Sequence, residues 1–259
     1  MFDERLIINE QTKANIIYDE HLVRYEFAKQ FVSEKTVLDL ACGTGYGSKL
    51  LADAGATKVI GVDVDSDVVK EASQKFGQDN IQYLEDSAEK LEKIADDSID
   101  LVTSFETIEH LKNPEDYLKA LTRVVRYDGM VLISTPNRAV FQEKNHFHYH
   151  EYTKTEFITL LSKYFANVRV LEQNNCIATY LGETSQNEPF LANNHVLISN
   201  QPSQPLYFVA VCSKDSGFSL KVSKNIISLN PLALERWENN PGWKIVNRLY
   251  RIFRIFLKK

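Results

Sequence analysis

The chain has 259 residues, 44% hydrophobic and 25% charged, with 10 Gly, 7 Pro, 3 Cys and a formal net charge of −5. That length suits one large α/β domain with appendages, and the ordinary composition excludes collagen-like, disordered and disulfide-scaffold architectures. No apolar run reaches the roughly 18–20 residues needed to cross a bilayer, the N-terminus lacks the apolar core of a signal peptide, and Cys42, Cys176 and Cys212 lie too far apart for a disulfide framework or zinc site.

In chain order, the first predicted element is a helix over Ala14–Phe31, which could lie across the carboxyl edge of a sheet. Strands are predicted at Thr36–Ala41, Lys58–Asp63, Ile81–Leu84, Ile99–Phe105 and Met130–Thr135, each rich in Val, Ile and Leu and bounded by turn formers. Helices at Ser66–Phe76 and Pro114–Tyr127 fall between them. Such alternation builds right-handed βαβ units on a parallel sheet covered on both faces. A polar aromatic stretch with clustered histidines follows, then a helix at Thr153–Tyr164 and a strand at Ala166–Glu172. Asn174–Pro205, rich in Asn, Gln, Ser and Pro, reads as a long loop or lid, and Leu206–Ser213 as a buried strand. The expected divisions are a helical cap over 1–35, a main domain over 36–215 with 174–205 as a loop insertion, and an extension over 216–259.

The extension carries a charge anomaly. Lys244, Arg248, Arg251, Arg254, Lys258 and Lys259 place six positive charges and no acid in residues 243–259; subtracting that +6 from −5 leaves −11 on the body. An acidic body argues against a nucleic-acid partner, which needs a basic face. On a helical wheel the six bases span an arc of roughly 140° opposite Trp243, Leu249, Phe253 and Phe256, the pattern of an interfacial membrane helix. The same helix could instead dock on a partner such as a glycosyltransferase, or on its own domain. The expected location is the cytoplasm, with peripheral contact at the inner face of the cell membrane.

The strongest motif is VLDLACGTGYG at 37–47, between a hydrophobic strand and a helix. Gly43 and Gly45 permit a tight turn and close ligand approach, and the helix beyond offers free N–H groups to an anion. Asp63, ending the second strand, is placed to accept from a ribose diol. The G-x-G-x-G spacing and the acid Asp39 distinguish the motif from a dinucleotide fingerprint: a carboxylate repels a pyrophosphate and attracts a sulfonium or ammonium.

With VIGVDVD at 59–65, EDS at 85–87, IDLVTSFETIEHL at 99–111 and GMVLISTPN at 129–137, the chain resembles the class I S-adenosylmethionine-dependent methyltransferases. The resemblance implies a Rossmann-like α/β fold with a seven-stranded, mostly parallel sheet and helices on both faces, Leu206–Ser213 being the antiparallel strand. It implies that Asp39, Ala41, Gly43 and Gly45 hold the methionine part of the cofactor, that Asp63 takes the ribose hydroxyls, and that Val64 packs on the adenine. It further implies that Asp86, with Ser87 beside it, binds the adenine amine and that Phe105 lines the methionine side. Arg24, in the His21–Tyr25 stretch, matches an arginine that meets the cofactor carboxylate in bacterial members.

For the transfer itself, Glu106, Glu109 and His110 have the i, i+3, i+4 spacing that converges on one helix face, and His146, His148 and His150 cluster downstream. Two carboxylates and two imidazoles could hold a divalent cation that acidifies a hydroxyl. The pattern looks like that of ubiquinone-pathway and small-RNA 2′-O-methyltransferases, where the matching residues bind magnesium; in that register His148 is the fourth ligand and His150 the alternative. A metal-free site, with His148 or His150 as base beside Glu109, is the second reading, and a structural role for the cluster the third. The motif set is similar to that of bacterial cell-surface polysaccharide methyltransferases, which implies a sugar hydroxyl of a surface glycan or its lipid-linked precursor as acceptor. A quinone-type phenol, an RNA 2′-hydroxyl, and a non-catalytic cofactor-binding module of a glycan-synthesis assembly are the rivals.

Overall fold

The computed structural model describes residues 16–141, 145–175 and 204–220. Its elements are α1 (Ile16–Ala28), β1 (Thr36–Leu40), α2 (Tyr46–Asp53), β2 (Lys58–Asp63), α3 (Ser66–Phe76), β3 (Ile81–Glu85) and β4 (Ile99–Ser104), then α4 (Pro114–Val124), β5 (Val125–Pro136), α5 (Lys154–Leu161), β6 (Asn167–Gln173) and β7 (Tyr207–Ser213). The seven strands form one sheet in the order β3-β2-β1-β4-β5-β7-β6. β7 runs antiparallel to both β5 and β6, and the remaining pairs are parallel. The expected seven-stranded, mostly parallel architecture is therefore present.

The strands are buried on both faces because their apolar runs are continuous while their side chains alternate. Leu38, Leu40, Ile60, Val62 and Val102 face one core, with Leu118 and Leu121 of α4 and Phe157 and Leu161 of α5. Val37, Val59 and Leu101 face the other, with Tyr25 and Ala28 of α1 and Leu51 of α2. The helix starts are written locally. Asp65 Oδ1 accepts from the Asp67 and Val68 amides at the head of α3, Pro114 opens α4, and Thr153 and Glu156 form a reciprocal capping box on α5.

Most predicted strands agree to within a residue or two. The exception is the helix predicted over Pro114–Tyr127, which ends at Val124. Val125 already pairs with Ile99 at the start of β5, and the register slips before Leu101 pairs with Met130. Val125 is fully buried in the sheet, so burial of a β-branched side chain prevails over continuation of the helix. No helix among the described residues is long and apolar enough to cross a membrane. The predicted tail helix at 243–259 and most of the 174–205 loop lie outside the described residues.

Candidate functional site

The strand order reverses direction between β1 and β4, whose carboxyl ends flank the crevice where open α/β sheets bind ligands. Two non-glycine residues stand there in left-handed conformation: Ala41 after β1, with φ 57°, and Glu106 after β4, with φ 51°. Backbone strain of this kind persists only where the surroundings impose it, and it gathers at functional sites.

The glycine turn follows β1. The Cys42 amide donates to Val62 O at 2.9 Å and the Gly43 amide to Asp63 Oδ2 at 3.0 Å, so the turn is tied to the end of β2. Gly43 (φ 51°) has open space above it, since a Cβ there would meet nothing within 4 Å. At Gly45 (φ 83°) a Cβ would stand 2.8 Å from both Ala72 Cβ and Tyr83 Oη. Thr44 Oγ1 is buried at this turn with no hydrogen-bond partner. An open space over glycine, an orphaned hydroxyl and the head of α2 fit the polar end of the expected cofactor.

Asp39 lies behind the turn, 1% exposed. Its Oδ1 accepts from Tyr25 Oη at 3.1 Å and Thr103 Oγ1 at 2.8 Å, and its Oδ2 from Ser48 Oγ at 2.7 Å. Burial pushes the carboxyl up to about 6, against the pull of these three donors. Asp39 thus joins α1, β1, α2 and β4, with both of its oxygens engaged inside the wall. Tyr25, Ser48 and Thr103 were not legible as its partners, because they come from three separate elements.

Asp63, Val64, Asp86 and Ser87 meet at the neighbouring strand ends. The Asp65 amide donates to Asp63 Oδ1 at 3.1 Å, and the Asp86 amide to Asp63 O at 3.0 Å. The Asp86 carboxylate accepts from the Ser87 and Lys93 amides at 2.7 and 2.8 Å, and Ser87 Oγ accepts from the Glu89 amide at 3.2 Å. Val64 is 70% exposed beside them, an apolar platform of the kind an adenine ring covers. Phe105 is buried, its ring edge-on to Tyr25 at 5.1 Å.

α1 crosses the carboxyl edge as expected and delivers Arg24, 2% exposed. Arg24 Nε donates to Gln173 Oε1 at 2.8 Å, its guanidinium lies 4.4 Å from the Tyr207 ring centre, and Nη1 pairs with Glu106 Oε1 at 3.3 Å. Tyr207 Oη in turn donates to Glu20 Oε2 at 2.8 Å. Gln173, Tyr207 and Glu20 carried no sequence signal.

The residues after β4 are not the helix that their spacing suggested. Left-handed Glu106 is followed only by a short 3-10 turn over Ile108–His110. Glu106 faces Arg24, and its amide and Oε1 are both bonded to Ser134 Oγ, at 3.0 and 2.6 Å. The expected four-residue metal set is corrected accordingly: Glu109, His110 and His148 each bring a ligand atom within 4.8 Å of the others, and Glu106 is not among them.

Glu109 is fully buried. Its Oε2 accepts from Thr135 Oγ1 at 3.1 Å, while Oε1 has no hydrogen bond and stands 4.0 Å from His110 Nε2. Burial, and then the Glu106 charge, push the Glu109 carboxyl well above the usual range. His110 Nδ1 is 3.1 Å from Phe147 O. His148 bridges Glu151 Oε1 at 2.8 Å and Asn145 Nδ2 at 3.0 Å, and its ring is edge-on to His110 at 4.7 Å. His110 is anchored at Nδ1, as metal-binding imidazoles are, whereas both ring nitrogens of His148 are engaged, Nδ1 by Glu151 and Nε2 by Asn145. His150 turns away from this cluster, onto Tyr152 at 4.6 Å and into a groove of about 760 Å³. Ser134 and Thr135, polar residues ending an apolar strand, were visible in the sequence without a role.

Residues 38–133 match a family described as "Methyltransferase domain". Over 152 residues the chain is 34% identical to a "Probable S-adenosylmethionine-dependent methyltransferase" of Mycolicibacterium smegmatis, covering 57% of this chain and 58% of that protein. Over 120 residues it is 36% identical to a "Ubiquinone biosynthesis O-methyltransferase" of Hydrogenovibrio crunogenus, covering 45% of this chain and 49% of that protein. The chain thus spans about half the length of these curated relatives. Among solved structures, a Pyrococcus horikoshii protein shares the fold with a TM-score of 0.56 at 20% identity, over 79% of this chain and 92% of the other. A methyltransferase from Archaeoglobus fulgidus does so with a TM-score of 0.56 at 19% identity, over 76% and 98%.

Proposed function

We propose that this chain, whose residues 38–133 match a methyltransferase domain family, is a class I S-adenosylmethionine-dependent O-methyltransferase acting on a sugar hydroxyl of a surface glycan or its lipid-linked precursor. The observation that carries the hydroxyl is the buried Glu109 Oε1, without a hydrogen bond and gathered with His110 and His148. It lies across the switch point from the glycine turn.

S-adenosylmethionine supplies the electrophilic methyl carbon. Ala41, Gly43, Thr44 and Gly45 form its cradle, with Arg24 for the carboxylate and Asp39 holding the wall behind. Asp63, Val64, Asp86 and Ser87 take the nucleoside, and Phe105 closes the methionine side. Methyl transfer is an in-line displacement, so positioning across the crevice carries much of the rate and a base serves the acceptor proton. Glu109 and His148 are the residues for that proton. A divalent cation held by Glu109, His110 and His148 would supply further acidification of the hydroxyl. That donor set has one carboxylate and two imidazoles, and suits zinc or iron better than magnesium.

The sugar acceptor is supported by the motif set and by the basic amphipathic pattern of 243–259, which suits a lipid-linked substrate at the membrane. A phenolic acceptor is the second reading, favoured by the ubiquinone-pathway names of several relatives. Transfer of labelled methyl into lipid-linked glycan from cell envelope, set against catechol-type phenols, decides between them. Label in phenol alone would refute the glycan reading. Turnover that survives exhaustive chelation, with Glu109→Gln and His148→Ala near normal, would remove the cation and the base together. Deleting 242–259 is expected to weaken binding to anionic vesicles while cofactor affinity is retained.

A further inference from the structure

Arg24 is a buried cation whose hydrogen-bonding capacity is poorly used. Neither of its terminal nitrogens makes a hydrogen bond, and Nη1 meets Glu106 Oε1 only as an ion pair at 3.3 Å. A guanidinium is a planar fork that pairs best with a carboxylate through two parallel bonds. Glu106 is poorly seated in turn. Its backbone holds φ 51°, a conformation that glycine adopts without strain and glutamate does not, and the oxygen it offers Arg24 already accepts from Ser134 Oγ at 2.6 Å. Both groups stand at the crevice between β1 and β4, where Arg24 is fixed from behind by Gln173 and Tyr207.

We propose that Glu106 is a stand-in carboxylate: it neutralises Arg24 before the cofactor binds and gives way when the cofactor's α-carboxylate takes the terminal nitrogens. Glu106 is then a specificity-determining residue. It competes with the cofactor, and only a ligand bearing a carboxylate can displace it. The inference rests on the reading that this crevice takes S-adenosylmethionine.

The test compares S-adenosylmethionine with its decarboxylated analogue, which lacks only that carboxylate. Both are titrated calorimetrically into the full chain as wild type, Glu106→Gln and Arg24→Gln. Glu106→Gln is expected to bind S-adenosylmethionine about tenfold more tightly while its affinity for the analogue stays within about twofold. Its thermal midpoint without ligand should fall, because Arg24 loses its counter-charge, and should rise more than wild type on adding S-adenosylmethionine. Arg24→Gln should bind the two ligands within about threefold of each other.

Unchanged or weaker S-adenosylmethionine binding by Glu106→Gln, with analogue binding intact, overturns the exchange and leaves the cofactor reading standing. An equal gain for both ligands overturns it too, as does an Arg24→Gln protein that keeps the wild-type preference for the carboxylate. Wild type that binds neither compound overturns the cofactor reading itself.

Discussion

On the β1–β2–β3 side of the crevice the site is made largely of backbone: a glycine turn with φ values of 51° and 83°, amides directed at Asp63, and a buried carboxylate holding three hydroxyls. On the β4–β5 side it is made of side chains, with Glu109, His110 and His148 drawn together by a short 3-10 turn and a loop that returns through Asn145 and Glu151. The first side is part of the core, so its chemistry and its stability cannot be separated. The second hangs from strand ends, where function can vary without unfolding the sheet.

The sharpest way to break that contrast is at Gly47. A Cβ there would stand 2.0 Å from Tyr25 Cζ, inside a ring that is itself buried. Gly47→Ala is expected to cost about 3 kcal/mol by overpacking, read as a lowered urea midpoint. Asp39→Ala comes next. It leaves Tyr25, Ser48 and Thr103 hydroxyls without their acceptor, and should cost about 2–3 kcal/mol in the same measurement. Glu109→Gln is the counterpart across the crevice. With its carboxyl already pushed toward the neutral form, the amide should change stability by less than about 1 kcal/mol, while methyl transfer falls on the order of a hundredfold. A Glu109→Gln protein as unstable as Asp39→Ala would end the distinction between the two sides.

The smallest effect is a pH dependence. Burial, and then the Arg24 charge, lower His21 to about 3, so its contribution is whole above pH 6.5 and is lost as pH falls from 6.5 towards 3. Asp39, raised to about 6, runs the opposite way: stability is greatest below 3.8 and declines as pH rises from 3.8 to 6. The two slopes oppose each other between about pH 4 and 6. Relative to wild type, His21→Gln should therefore gain up to about 1 kcal/mol per pH unit as pH falls from 6 to 4, measured by urea unfolding across that range.

Much of the fold was legible because its signals are local. Continuous β-branched runs marked the strands, and Gly43 and Gly45 marked the left-handed turn after β1. Val125 was misread because nothing near it in sequence reports its pairing with Ile99. Within the candidate site, Gly43, Gly45, Asp63 and Val64 could be singled out since each sits at or just past a strand end.

What the sequence determined by itself is the framework: alternating strands and helices of a parallel α/β sheet with a glycine turn after its first strand, set by propensity and alternation that act over a few residues. The tertiary structure alone decided where the charges go. Equal spacing on paper put Glu106 with Glu109, but its left-handed backbone and the buried Arg24 brought over by α1 turn it the other way. A buried charge takes the counter-charge that the fold brings near, and sequence spacing has no say in that choice.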